Sequence, residues 1–165
     1  MNPKFFISVV ALLAGMASAL SAQTTTPLTA TADTRLQSAT PTTNYGTSTT
    51  LVAAPLFSTL LRWDVSSIPA GSTVTGATLT LKASNGTSEF YEAYEVLRAW
   101  AEGTGTAGSG ADWNTFDGVT AWQTAGAPGA LDRGTTVLGA VGTTDTVNPV
   151  AYTLNAAAIV LIQGW

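Results

Sequence analysis

The stretch TGATLTLKA at residues 75–83 alternates without a break. Ala77, Leu79, Leu81 and Ala83 fall on one side, and Gly76, Thr78, Thr80 and Lys82 on the other. A period of two over that length calls for a half-buried antiparallel strand. The preceding run, STLLRWDV at residues 58–65, has the same period. Its alternation sends Leu61, Trp63 and Val65 to one face and Leu60, Arg62 and Asp64 to the other, with Trp63 expected in the core. Between the two, SSIPAGSTV reads as a turn: Pro69 and Gly71 fix the bend, and Asp64, Ser66 and Ser67 can accept from nearby backbone N–H groups. Asn85-Gly86 follows at once, a strong hairpin signal that predicts pairing with the next run.

Further strands are expected in LTATADTRLQ (28–37), TLVAAP (50–55), TTVLGAV (135–141) and VAYTL (150–154). The run SEFYEAYEVLRAW (88–100) is ambiguous, since its Glu, Ala and Leu content also suits a helix. The hairpin context favours a strand with Tyr91, Ala93, Glu95, Leu97 and Ala99 on one face. Asn155 caps AAAIVLIQGW, which reads as a short helix. Residues 101–134 are Gly-rich with Trp113, Phe116 and Trp122 embedded, and such a long stretch without clear elements points to function or mobility.

The side-chain inventory excludes several chemistries. The chain has no Cys and no His, so disulfides, the usual zinc and copper sites, and Ser-His-Asp or Cys-His catalysis within this chain are ruled out. Beyond residue 22, five basic residues (Arg35, Arg62, Lys82, Arg98, Arg133) face ten acidic ones, which leaves no electrostatic footprint for nucleic acid. Abundant Thr, Ser, Gly and Ala with sparse charge suits an exported β-rich domain.

At the start, Lys4 precedes an apolar run, FFISVVALLAGM, followed by small residues at Ala17-Ser18-Ala19 and Leu20-Ser21-Ala22. This is the layout of a secretory signal peptide over residues 1–22, cut before Gln23. The run is shorter than the ~20 apolar residues a membrane span needs. The expected organisation is a signal peptide (1–22), a leader (23–28) and one domain (29–165), with no membrane contact after cleavage. The chain stops at Trp165 in mid-pattern, so the domain is expected to continue beyond it.

Several stretches in order carry a resemblance: ADTRLQ (32–37), PTTNYGTSTTL (41–51), LLRWDVSSIPAGSTVTGATLTL (60–81), RAWAEGTGTAGSGADWN (98–114), TAWQTAG (120–126) and LIQGW (161–165). Together they resemble the DNRLRE-domain family, also classed as carbohydrate-binding module family 96 and related to disaggregatase-type modules. The resemblance covers nearly all of the chain after residue 22, and Asp112 stands where the family pattern T-W-N has Thr. It implies an all-β fold, a jelly-roll-type antiparallel β-sandwich, here with one short C-terminal helix. It implies a secreted or surface-attached module, often joined to a polysaccharide-degrading enzyme, that binds acidic polysaccharide such as alginate. It also makes the Arg62-Trp63-Asp64 turn region structural.

The residues offer three kinds of site. Glu89, Glu92, Glu95 and Glu102 cluster in sequence, but on one strand with mixed facing they read as a solvated face and not as a glycosidase pair. DWNTFDG places Asp112, Asn114 and Asp117 in a Gly-ended loop, oxygen ligands of the kind that suit a structural Ca²⁺. For sugar binding, Trp113 and Trp122 in the Gly-rich loop are the stacking candidates, while Trp63 and Trp100 go to the core. Arg98 and Arg133 flank that loop and are the candidate carboxylate partners. The expectation is a non-catalytic carbohydrate-binding module for uronate-type polysaccharide, attached to a downstream catalytic or surface domain. The alternative is a structural or adhesive module making protein–protein contacts through exposed strand edges.

Overall fold

The computed structural model describes residues 23–86, 88–142 and 149–165. The expected signal peptide lies outside the described residues. Six short strands and one helix are present: β1 (Ala30–Gln37), β2 (Phe57–Trp63), β3 (Thr78–Leu81), β4 (Tyr91–Ala93), β5 (Gly139–Val141), β6 (Val150–Thr153) and α1 (Ala156–Gln163). The all-β reading with one short C-terminal helix therefore holds. The described strands form three antiparallel pairs, β1–β2, β3–β6 and β4–β5. No described helix is long and apolar enough to cross a membrane.

β1 and β2 set the core side. Ala32, Thr34 and Leu36 are all buried, which is the period of two expected of a strand with one covered face. In the register Ala32 opposes Arg62, Thr34 opposes Leu60 and Leu36 opposes Ser58. Residues opposite one another share a face, so the core side of β2 carries Ser58, Leu60 and Arg62. This corrects the expected facing: Leu60 is buried and Trp63 is half-buried on the other side. Arg62 keeps its charge outside by lying 5.0 Å over the Trp100 ring and donating from Nη1 to the Trp100 carbonyl oxygen at 3.2 Å. Alternation alone identifies two faces of a strand, and only the buried triplet of β1 tells which one is inward.

β3 keeps the expected alternation, with Leu79 and Leu81 half-buried and Thr78 and Thr80 exposed. Its partner differs from the one expected. Leu79 pairs with Tyr152 and Leu81 with Val150, in β6, while β4 pairs with β5. Asn85-Gly86 thus does not close a β3–β4 hairpin. The apolar face of β3 finds apolar partners on β6, whereas the run after Asn85-Gly86 offers Glu89 and Glu92. Residues 50–55 form no strand.

Residues 88–100 are extended and not helical, but the alternation changes phase midway. Tyr91 and Ala93 point inward in β4, then Val96 and Trp100 do, leaving Leu97 48% exposed. The cause is the Gly-rich segment, which wraps this part of the chain and completes the core. Ala111, Trp122 and Ala127 pack with Ala32, Leu36, Leu60 and Trp100, and Val96, Trp113 and Phe116 pack against that cluster.

A buried Asn44 joins this segment to the loop after β1. Its Nδ2 donates to the Glu102 and Ala111 carbonyls at 2.7 and 2.9 Å, and its Oδ1 accepts from the Gly105 N–H at 2.8 Å. Satisfying buried loop carbonyls from one side chain lets irregular backbone occupy an interior position. At the C-terminal end Asn155 caps α1 as expected, its Oδ1 accepting from the Ala158 N–H at 3.1 Å.

Candidate functional site

The segment after β4 runs antiparallel to residues 131–134. The Leu97 N–H donates to the Asp132 carbonyl at 2.8 Å, the Gly134 N–H donates to the Glu95 carbonyl at 2.9 Å, and Val96 forms a bridge with Arg133. This seam brings together residues 39 positions apart in sequence, Tyr94 and Arg133, and sets Asp132 beside Arg98. Neither pairing has a sequence signature, and Tyr94 was not among the expected site residues.

Arg133 stands over Tyr94, its guanidinium carbon 3.8 Å from the ring centroid. The Tyr94 hydroxyl donates to the Glu92 carboxylate, and that hydrogen bond raises the phenol above its ordinary range. Among the described residues Arg133 forms no ion pair. Tyr94 is its hydrogen-bonding neighbour, and a guanidinium without a carboxylate partner can take one from a ligand.

Arg98 is committed to the fold. Its Nε donates to Asp132 Oδ1 at 3.1 Å, and its guanidinium stands 5.3 Å over Phe116. Asp132 is fully buried and also accepts from the Gln123 and Thr124 N–H groups at 2.9 and 3.0 Å. Burial pushes this carboxyl up, but the two backbone donors and Arg98 outweigh it, and the net direction is down. Arg98 keeps part of its edge in solvent, with 30% of the side chain exposed.

The two tryptophans separate. Trp122 is 4% exposed, its ring 5.6 Å from Phe116, and its indole N–H donates to the Asp112 carbonyl at 2.9 Å. The structure thus places Trp122 in the core and not on a ligand surface, because the Gly-rich segment folds its aromatics inward where Ala32, Leu36 and Leu60 supply too little volume. Trp113 is half-buried against the cluster, with Gly126 closed on its ring.

The expected calcium ligands serve the loop itself. Asp112 Oδ1 accepts from the Asn114 and Thr115 N–H groups at 2.8 and 2.7 Å and from Thr115 Oγ1 at 3.0 Å. Asp117 Oδ1 accepts from the Val119 and Thr120 N–H groups at 2.9 and 2.6 Å, and these donors hold its carboxyl below the usual range. Asn114 is exposed. Among the described residues no group of three or more acidic side chains is arranged to hold a metal ion. Both aspartates act as Asx-turn acceptors, which accounts for their position in a tight loop.

All four arginines stand over a ring: Arg35 on Tyr45, Arg62 on Trp100, Arg98 on Phe116 and Arg133 on Tyr94. They differ in what the guanidinium edge does. Arg35 donates to the Thr50 carbonyl and hydroxyl, Arg62 to the Trp100 carbonyl and Arg98 to Asp132. Glu102, one of the four clustered glutamates, accepts the Asp33 N–H at 2.9 Å and so braces β1.

No match is found among curated proteins or among solved structures. The sequence profile of one family matches residues 24–119, a stretch that carries Tyr94, Arg98 and Trp113 and ends before Trp122 and Arg133. With more than half of its length matched, the chain belongs to carbohydrate-binding module family 96.

Proposed function

We propose that the chain is an exported, non-catalytic module that binds uronate-type polysaccharide and holds an attached enzyme or surface protein against it. Family membership supports carbohydrate as the ligand class. The observation that carries the uronate reading is Arg133, spread 3.8 Å over Tyr94 and free of any ion pair among the described residues. A guanidinium held over a ring has lost part of its conformational freedom already, so pairing with a carboxylate costs it less further entropy. The jelly-roll sandwich proposed as the frame that presents this group draws its support from family membership and from the antiparallel pairing of the described strands.

The net charge of −4 repels a polyanion. That repulsion is screened beyond about 8 Å at physiological salt, whereas a direct guanidinium–carboxylate contact is screened much less. Binding in this reading is therefore local and short-range.

The test is affinity electrophoresis in gels containing alginate, pectin, chondroitin or neutral glucans. Retardation on the uronate gels, lost in Arg133→Ala, is the expected result. Retardation on neutral glucans alone overturns the uronate reading. A second reading, a surface module that contacts proteins, draws on the exposed Val160 of α1 and the exposed Trp165 beyond it. Self-association with rising concentration, without retardation on any gel, selects that reading.

A further inference from the structure

We infer that Phe90 is a sugar-stacking platform on the same strand face as Tyr94 and Arg133, so that the site takes a polysaccharide chain and not a single sugar. The inference rests on the carbohydrate reading above and adds a position to it.

Phe90 is 71% exposed. Among the described residues, it and Trp165 are the aromatic side chains more than half in solvent. Phe90 immediately precedes β4, and the period of two puts Phe90, Glu92 and Tyr94 on one face. The hydrogen bond from the Tyr94 hydroxyl to Glu92 shows that the last two do share it. Across the pair, Glu92 opposes Ala140, which is exposed and too small to wall the face off. The result is an open strip with an apolar ring at one end, a carboxylate in the middle and a guanidinium stacked on a phenol at the other.

The strip spans four residue steps, about 13 Å at roughly 3.3 Å per residue, which is longer than one pyranose ring. Its chemistry sorts a uronate chain by position. The C–H face of a sugar ring stacks on Phe90. The Glu92 carboxylate accepts from sugar hydroxyls and repels sugar carboxylates, which directs the ligand carboxylate toward Arg133.

The test compares wild type, Phe90→Ala, Phe90→Trp and Arg133→Ala on alginate and polygalacturonate gels, with melting temperature as a control for folding. Phe90→Ala is expected to weaken polymer binding about 5- to 10-fold, the size of one aromatic contact, with its melting temperature unchanged. Phe90→Trp is expected to bind as well as wild type or better. If wild type is retarded and Phe90→Ala is retarded equally, the platform is wrong and the carbohydrate reading stands. If wild type is retarded on neither gel, the uronate reading itself fails and takes the platform with it.

Discussion

The Nε of Arg98 donates to the fully buried Oδ1 of Asp132 at 3.1 Å, and this contact ties the Gly-rich segment to the strand segment beside it. Asp132 also holds the Gln123 and Thr124 N–H groups, so one carboxylate closes the loop that carries Trp122 into the core. Asp132→Asn removes the charge and turns one acceptor into a donor facing donors. It is expected to cost about 3 kcal/mol of stability, in the range for a broken buried pair. Arg98→Met is expected to cost less, since Arg98 is partly solvated. Urea unfolding of both variants reads the difference.

Acid sensitivity follows from the same carboxylate. The Asp132 value is depressed in the folded state, so the stability it contributes is present above the unfolded value and lost as pH falls through the folded one. The unfolded value of an aspartate is about 3.9, so the loss is expected from about pH 4 downward. Asp64 and Asp117, lowered by turn N–H donors, act with the same sign, Asp64 in an exposed and Asp117 in a half-buried position. Melting temperature measured from pH 7 to pH 3 is expected to fall over the lowest unit, and Asp132→Asn is expected to flatten that fall.

Trp122 tests whether the loop aromatics serve the core. Trp122→Ala is expected to cost about 3–5 kcal/mol, the range for emptying a core tryptophan site. Trp122→Phe keeps most of the volume but leaves the Asp112 carbonyl without its indole donor, at a cost of about 1–3 kcal/mol. If Trp122→Phe instead kept full stability and lost polysaccharide binding, Trp122 would be a ligand contact and its core role would be wrong.

Gly126 is required by its neighbour and its backbone together. Its φ is +84°, and a Cβ there would lie 2.5 Å from the Trp113 ring. Gly126→Ala is expected to destabilise by about 1–3 kcal/mol through strain and overpacking. Displacement of Trp113 is expected to show as a changed near-ultraviolet circular dichroism spectrum. An unchanged spectrum and melting temperature would mean that the ring moves aside without cost.

Much of the secondary structure was legible because its causes are local. The alternation of Leu79 and Leu81 with Thr78 and Thr80 marks β3 on its own, and Asn155 announces the start of α1 by what its side chain can accept. Pairing was not legible in the same way. Asn85-Gly86 is a good turn, yet a turn stabilises only a few residues, and the apolar match of Leu79 with Tyr152 lies some seventy positions away along the chain. The candidate site was half legible. Arg133 could be singled out as a cation beside the Gly-rich segment, but Tyr94 and Phe90 looked like ordinary members of an ambiguous run.

Residue order and composition alone make this chain β-rich, close histidine and cysteine chemistry to it, and carry a carbohydrate-binding family's pattern. Long-range packing is what turns Leu60 and not Trp63 inward, puts Trp122 in the core, and binds Arg98 to Asp132 while leaving Arg133 without an ion pair among the described residues. The division has one physical cause. Periodicity, turns and caps depend on neighbours within a few residues, whereas burial and ion pairing depend on which distant segment arrives, and the Gly-rich segment that decides them has no periodicity of its own.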